Sequence, residues 1–310
     1  MNKLNFNLLV TGTIRNGEAT LLKEFARASK ATKIFSKVSY FLVESDSTDR
    51  TLEILKSIKA QYSNFDYISL GSLSEIIPEQ YNRIRYCRNV YVEYIRNLDK
   101  SIKPEFVLVL DLDGMNSALS AKSIQSCFQR NDWDVVLSNQ TFGYYDILAL
   151  RQHKWQENDW RDNHDNYKAN LNRVEFSRFK TINKFRKLIQ LELVDYMAIY
   201  SKMVRISKSS PWISVESGFG GAAIYKTEVF LNYDYTKEFE TRETDHVTLH
   251  RKLVRSGGKI FINPKFINSH FNTYNLNRYH LIRILRKFFW SRPYLLKSKL
   301  YTLIKSLKKY

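Results

Sequence analysis

Two apolar periods alternate along the first 270 residues of this chain. Short runs with little or no charge read as buried strands, at Asn7 to Thr13, Val38 to Val43, Phe65 to Leu70 and Phe106 to Leu110. Between them the apolar positions recur at three and four residues. Leu21, Leu22, Phe25 and Ala28 predict a helix over Glu18 to Phe35, and Leu52, Leu55 and Ile58 a second. Tyr81 to Leu98 forms a third. Strands that alternate with helices imply a mostly parallel sheet, flanked by helices and joined by right-handed crossovers.

The alternation continues with a helix from about Ser120 to Arg130 and a strand from Asp134 to Asn139, and then it breaks. Residues 153 to 167 crowd His, Trp, Asn and Asp together without periodicity and predict a loop. Residues 168 to 208 are basic and helical in pattern, an insertion or lid. Pro211 to Tyr225 holds Gly218, Gly220 and Gly221, a strand and turn where backbone approaches a ligand or another strand. A helix over Arg242 to Arg255, ended by Gly257-Gly258, precedes a strand at Lys259 to Ile262. The expected organisation is one α/β domain over 1–270 and a tail over 271–310.

Composition sharpens this in three ways. With 44% apolar residues the chain can bury a sizeable core. No apolar run approaches the length of a membrane span, and Leu8 to Val10 is too short for the core of a signal peptide, so a cytoplasmic address is expected. Cys87 and Cys127 stand alone and read as reduced thiols. The net charge of +18 is uneven: residues 271–310 hold ten Lys or Arg and no Asp or Glu. There Leu281, Leu285 and Phe288 recur at helical spacing, with Trp290, Tyr294 and Leu295 after them. Apolar and cationic faces together predict a basic amphipathic tail, broken at Pro293, that lies through residues 277–310 on an anionic inner membrane face.

The chemistry gathers at Phe106 to Asn116, F-V-L-V-L-D-L-D-G-M-N. Asp111 and Asp113 are two apart where a buried strand runs out, so their side chains point the same way. In an open α/β sheet that edge lines the ligand crevice, and the pair is placed to hold a divalent cation against a phosphate. Asp132-Trp133-Asp134 repeats the spacing with no buried strand before it. Glu44 to Asp49 is a second carboxylate-rich turn on the crevice side, with Ser47 or Thr48 as N-cap of the helix that follows. Arg85 and Arg88 share one face of their helix.

Four separated segments match one pattern, and over residues 7 to 270 the chain resembles the GT-A glycosyltransferases, Rossmann-like enzymes that move a sugar from a nucleotide diphosphate. Glu44-Ser45-Asp46-Ser47-Thr48-Asp49 resembles that fold's second-strand motif, Arg88-Asn89 its Arg-Asn pair, Asp111-Leu112-Asp113 its Asp-x-Asp, and Glu243-Thr244-Asp245 its acceptor-side acidic motif. Tyr145 to Arg151 and Phe219-Gly220-Gly221 are most like the capsule-associated α-1,3-mannosyltransferases and their bacterial relatives. Ser45-Asp46 departs from the usual Asp-Gly. The resemblance implies a nucleotide-diphosphate sugar donor held by Arg15, Glu44, Asp46, Arg88, Asp111 and Asp113. It implies Mn²⁺ or Mg²⁺ on Asp111 and Asp113 with His270 as third ligand, and Glu243 and Asp245 as catalytic carboxylates. Trp160, Glu216, Gly220 and Gly221 would meet the sugar or acceptor, a glycan or a lipid-linked chain, and Trp155, Asp159 and Asp162 would extend Trp160 into a platform.

Two other readings compete. Val-Leu-Asp-Leu-Asp-Gly also resembles the nucleophile motif of haloacid-dehalogenase-type phosphatases, with Asp111 attacking. That motif normally ends the first strand, whereas two strand-helix units precede it here, and no Gly-Asp-x-x-x-Asp follows. A pI of 9.7 and 39 Tyr plus Phe suggest nucleic acid, but the basic residues concentrate in a Leu- and Ile-rich tail and no RNA-binding sheet motif is present. No nucleic-acid partner is expected.

Overall fold

The computed structural model describes residues 3–171, 191–236 and 243–270. The tail over 271–310, with Pro293, lies outside the described residues. So does most of the basic stretch before residue 191.

The described chain runs β1 (Leu4–Ile14), α1 (Leu21–Thr32), β2 (Phe35–Glu44), α2 (Thr51–Gln61), β3 (Phe65–Ser69), α3 (Leu73–Ile76), α4 (Gln80–Asn97) and β4 (Phe106–Leu110). It continues through α5 (Ala121–Gln125), β5 (Val135–Gln140), α6 (Trp160–Leu171), a helix over 191–198 (α7), β6 (Ile213–Val215), β7 (Ala222–Lys226), α8 (Thr227–Asn232), α9 (Asp245–Arg255) and β8 (Ile260–Ser269). All eight strands form one sheet in the order β3-β2-β1-β4-β7-β5-β8-β6.

Because side chains alternate across a strand, an uncharged run feeds two cores at once. Leu9, Val107 and Val109 face one side with Tyr91 and Phe230, while Leu8, Val10, Leu108 and Leu110 face the other with Phe25 and Trp133. Helices cover both faces, as the pattern predicts. The pairing is parallel for β1 with β2 and β4, β2 with β3, and β5 with β8. It is antiparallel for β7 with both its neighbours and for β6 with β8. The sheet is therefore mixed, with a reversed strand between β4 and β5.

Several boundaries move. The first helix stops at Thr32, and Phe35 opens β2 with its ring in the second core. Neither Ser47 nor Thr48 caps α2. The N-cap is Arg50, with no side-chain cap bond; Asp49, one residue earlier, accepts from the Thr51 amide through Oδ1 (3.0 Å), while the Ser47 and Thr48 hydroxyls are bonded to Asn16. The helix expected over Ser120 to Arg130 ends at Gln125 and tightens into a 3₁₀ turn. The loop expected over 153–167 ends at Asp159, since α6 starts at Trp160. That helix is polar nearly all round, so apolar period could not reveal it. In the described part of the insertion, Val194, Ala198, Met203 and Ile206 are buried. Among the described residues no helix is long and apolar enough to cross a membrane.

Candidate active site

The carboxyl ends of β1, β2 and β4 open on a cleft of about 250 Å³ lined by Arg15, Asp46, Arg83, Arg88, Asp111 and Asp113 among others. Asp111 is placed by backbone. Its N–H donates to the Gly221 carbonyl (2.9 Å), and its own carbonyl accepts from the Asn116 side chain (2.5 Å). Asn116 is in turn held by Glu24 of α1, a buried carboxylate accepting from the Asn116 amide (3.2 Å) and side chain (2.8 Å) and from Arg27 (2.8 Å). The strand end and the turn after it are thus fixed from both sides.

Arg88, from the middle of α4, is the charge at the centre. Its Nε meets the Asp245 carboxylate in an ion pair and its Nη2 stands 3.6 Å from Asp111 Oδ1. The guanidinium also lies over the Phe219 and Tyr235 rings, at 5.4 and 5.6 Å. Burial opposes its charge, but Asp245, the neighbouring tyrosines and Asp111 more than offset this and hold it well above its ordinary range. Arg88 is therefore an internal ion pair joining the Asp-x-Asp strand to α9.

Carboxylates outnumber that one guanidinium. Burial pushes Asp111 up to about 7, with Arg88 pulling down and Asp113, Asp146 and Asp245 pushing further up. Burial also raises Asp113 and Asp146. Burial, and for Asp111 and Asp146 the neighbouring carboxylates as well, disfavours the charged form of these groups, and a hard divalent cation bound between Asp111 and Asp113 would favour it again. Asp111 and Asp113 fit such an ion when phosphate oxygens and water complete its shell. His270 does not join them. It is exposed at the end of β8, with Nδ1 2.8 Å from Thr141 Oγ1, and among the described residues no group of three or more His, Cys, Asp or Glu could hold a metal.

Just past the end of β2, Asp46 has a left-handed backbone (φ +57°). Its Oδ1 accepts from the Ser74 amide (2.7 Å) and its Oδ2 is 3.6 Å from Arg83 Nε. Burial raises this carboxyl, but the Ser74 bonds and Arg83 outweigh it and hold the group below its ordinary value. Arg15 donates to the Asp46 carbonyl (3.3 Å) at the mouth of the cleft. Glu44 is buried and turned inward, accepting from the Ser47 amide (2.9 Å) and the Ser69 hydroxyl (2.5 Å), so it closes the turn and does not line the cleft.

Ahead of α9, Glu243 is bonded to Arg251 and lies 3.9 Å from Arg151 Nε. Arg151 is itself buried against Asp159 (2.5 Å). That pair takes Asp159 out of any sugar platform. Trp155 is committed too, donating to the Lys202 carbonyl (2.8 Å) and packing edge-on against Tyr144. Trp160 is half-buried beside Arg161, Asp162 is exposed on α6, and Glu216 is exposed just past β6. Gly220 and Gly221 both have positive φ, +75° and +82°. Their surroundings are packed: a Cβ on Gly221 would stand 2.7 Å from the Tyr145 hydroxyl, and the Gly220 carbonyl accepts from Ser138 (2.9 Å), Gln140 (2.8 Å) and Asn268 (2.9 Å). They form a supporting turn behind Asp111.

Asp146 is the site residue that sequence reasoning missed. Its Oδ2 accepts from the Gly220 amide (3.0 Å) and its Oδ1 from the Ala149 amide (3.3 Å), so it ties the glycine turn to the carboxylate group. The signal was its place as the one carboxylate in the run Tyr145 to Arg151. Standing fourth in chain order, β4 also lacks the first-strand position that the phosphatase reading requires.

No protein-family model matches the chain, and no curated protein matches its sequence. Among solved structures it is similar to the mannosyltransferase PcManGT from Pyrobaculum calidifontis in complex with GDP-Man and Mn²⁺, at 12% identity over 91% of this chain and 65% of that one (TM-score 0.49). It is similar to S. aureus TarS 1–349 in complex with UDP-GlcNAc, at 14% identity over 83% and 55% (TM-score 0.40). It is also similar to mannosyl-3-phosphoglycerate synthase from Rubrobacter xylanophilus, at 11% identity over 93% and 75% (TM-score 0.38). The chain spans less than two thirds of the length of the first two.

Proposed function

We propose that this chain is a metal-dependent glycosyltransferase, moving a sugar from a nucleotide-diphosphate donor to a glycan or lipid-linked acceptor of the cell surface. One observation carries the reading. Asp111 and Asp113 leave β4 into a cleft that Asp46 and Arg83 also line, while Arg88 stands between Asp111 and Asp245 at the start of α9. That arrangement suits a ligand with a diphosphate in the middle, a nucleoside at one end and a transferable group at the other.

Asp111 and Asp113 would hold Mn²⁺ or Mg²⁺, which when bound supplies Lewis-acid neutralisation of the departing diphosphate. The chain's own residues do the rest. Arg15 and Arg83 flank the nucleoside end, and Asp46, kept ionised, accepts from ribose or base. Asp245 faces the acceptor with Arg88 fixing its orientation. With inversion it takes the acceptor hydroxyl's proton, a role worth roughly 10² to 10⁴ in rate. With retention, as the mannosyltransferase resemblance implies, it orients the acceptor. The stereochemistry of the product by NMR separates the two. Glu243, shared between Arg151 and Arg251, positions the loop ahead of Asp245.

The test is a thermal-shift panel of GDP-mannose, UDP-GlcNAc, GDP and UDP with and without Mn²⁺. A ligand at 100 times its dissociation constant adds about 2.7 kcal/mol, and that gain should need the metal. Asp113→Asn should abolish it while melting at the wild-type temperature in the absence of ligand. If no nucleotide stabilises the wild type, or if Asp113→Asn responds like the wild type, the reading fails.

The tail belongs to the same proposal. Ten basic residues interleaved with Leu, Ile, Phe and Trp suit an anionic inner membrane face, each Lys or Arg near it adding about 1 kcal/mol, and would bring the cleft to a lipid-linked acceptor. Vesicles containing phosphatidylglycerol should sediment the full chain at low salt and release it at high salt. A chain ending before Asn277 that sediments equally well would remove this role.

A further inference from the structure

A second cleft, about 1040 Å³ against 250 Å³ for the first, runs beside α5 and β8 and has no place in the reading above. Lys122, Lys208 and Lys265, all exposed, line it together with His270, and no Asp or Glu does. Serine hydroxyls and glutamine amides fill much of the remaining wall. Three cations from three separate segments, α5, the chain before β6, and β8, converge on one groove without a counter-charge in its lining.

The position of the groove matters as much as its charge. Ala118 lines it, and Asp113, five residues earlier, lines the first cleft, so the two are separated by at most ~18 Å of chain. That short turn is rigid. The Ala118 amide donates to the Asn268 carbonyl (2.8 Å), and the Asn268 side chain donates to the Met115 carbonyl (3.3 Å). At the same end His270 is bonded to Thr141, at the exit of β5. One end of the groove, at Ala118 and His270, therefore opens beside the carboxylates on the edge of the sheet where transfer would occur, and the groove runs from there along the sheet toward Leu4 at the start of β1.

We infer that this groove holds the acceptor, and that the acceptor is a chain bearing phosphate groups. The inference rests on the glycosyltransferase reading of the first cleft. A neutral glycan would gain nothing from three unopposed lysines. A phosphodiester chain gains a charge-assisted contact at each one, and a groove, unlike a flat basic face, selects a strand-like ligand over a membrane surface.

The probe is a fluorescently labelled synthetic glycerol-phosphate oligomer of about ten units, titrated by anisotropy against the full chain, beside a neutral oligosaccharide of similar length. The triple variant Lys122→Gln, Lys208→Gln, Lys265→Gln should bind the oligomer about tenfold or more weakly and with a shallower salt dependence. Removing the same charge from the tail by Lys305→Gln, Lys308→Gln, Lys309→Gln should change it by less than about twofold. Equal effects from the two triples, no effect from the first, or equal affinity for the neutral oligosaccharide would overturn the inference. So would a single-stranded oligonucleotide of equal charge that binds as tightly and depends on the same lysines, since the groove would then be a general polyanion surface. Stabilisation by GDP or UDP with Mn²⁺ is followed in the same proteins. If the wild type shows none, the function proposed for the first cleft fails with it. If nucleotide binding is intact in both triples and the oligomer still binds unchanged, only the acceptor assignment fails.

Discussion

His246 and His250 sit one helical turn apart on α9, both buried, beneath the carboxylates of the site. His250 is bonded through Nδ1 to Ser217 (3.1 Å) and through Nε2 to Tyr225 (3.0 Å), and His246 stacks on Phe219 at 4.0 Å. Burial first, and Arg88 second, lower His250 from 6.5 to about 3 and push His246 well below 6.5. A histidine depressed in the folded state takes up its proton only on unfolding, so its contribution is complete above about 6.5 and is lost as the pH falls toward 3. Asp111, raised to about 7, works in the opposite sense, so the total curve mixes the two. The difference between wild type and His250→Gln isolates one. Between pH 7 and 5.5 the wild type should lose roughly 1.3 kcal/mol relative to the variant in urea denaturation. A constant difference would mean that His250 titrates alike in the folded and unfolded protein, and a wild type that gains on the variant would mean that His250 is protonated in the folded one. At this scale the place of Asp111 and Asp113 in the cleft was legible because the apolar run of β4 ends just before them, at Leu110. Glu44 and His270 were not, because Ser69 and Thr141, which bond them, are brought close only by the sheet.

At the scale of elements, the turn Gly220-Gly221 into β7 carries the Asp-x-Asp strand's last hydrogen bond. Gly257, ending α9, provides a matched comparison: its φ of +85° is close to the +82° of Gly221, yet a Cβ there would meet nothing within 4 Å. Ala at Gly257 should cost about 1 kcal/mol, the backbone term alone. Ala at Gly221 adds the clash with the Tyr145 hydroxyl at 2.7 Å and should cost about 1–3 kcal/mol more. Because the Gly221 carbonyl holds the Asp111 amide, it should also weaken Mn²⁺-dependent nucleotide stabilisation, which Gly257→Ala should leave untouched. Equal costs at the two positions would show that Gly221 packs loosely. Strands β4 and β5 could be read from apolar runs, and α1 from its stripe. The direction of β7 could not, because period 2 is the same for a parallel and an antiparallel partner.

For the whole molecule, the layered α/β plan followed from the alternation of periods, and the two cores on opposite faces of the sheet followed from strands apolar on both sides. What the sequence withheld was neighbourhood. β4 and β5 follow one another in the chain but do not touch, since β7 lies between them and pairs with both. This has a consequence for synthesis. A nascent chain that has emerged only as far as Arg151 has made five strands, yet β4 then has one unpaired edge and β5, whose partners β7 and β8 both come later, has two. β5 cannot join the other four until Ala222–Lys226 has left the ribosome and been laid between it and β4, so native assembly must wait for more than seventy further residues. During that interval these open edges invite pairing with other chains, and the protein's exposure to aggregation should be greatest then rather than after release.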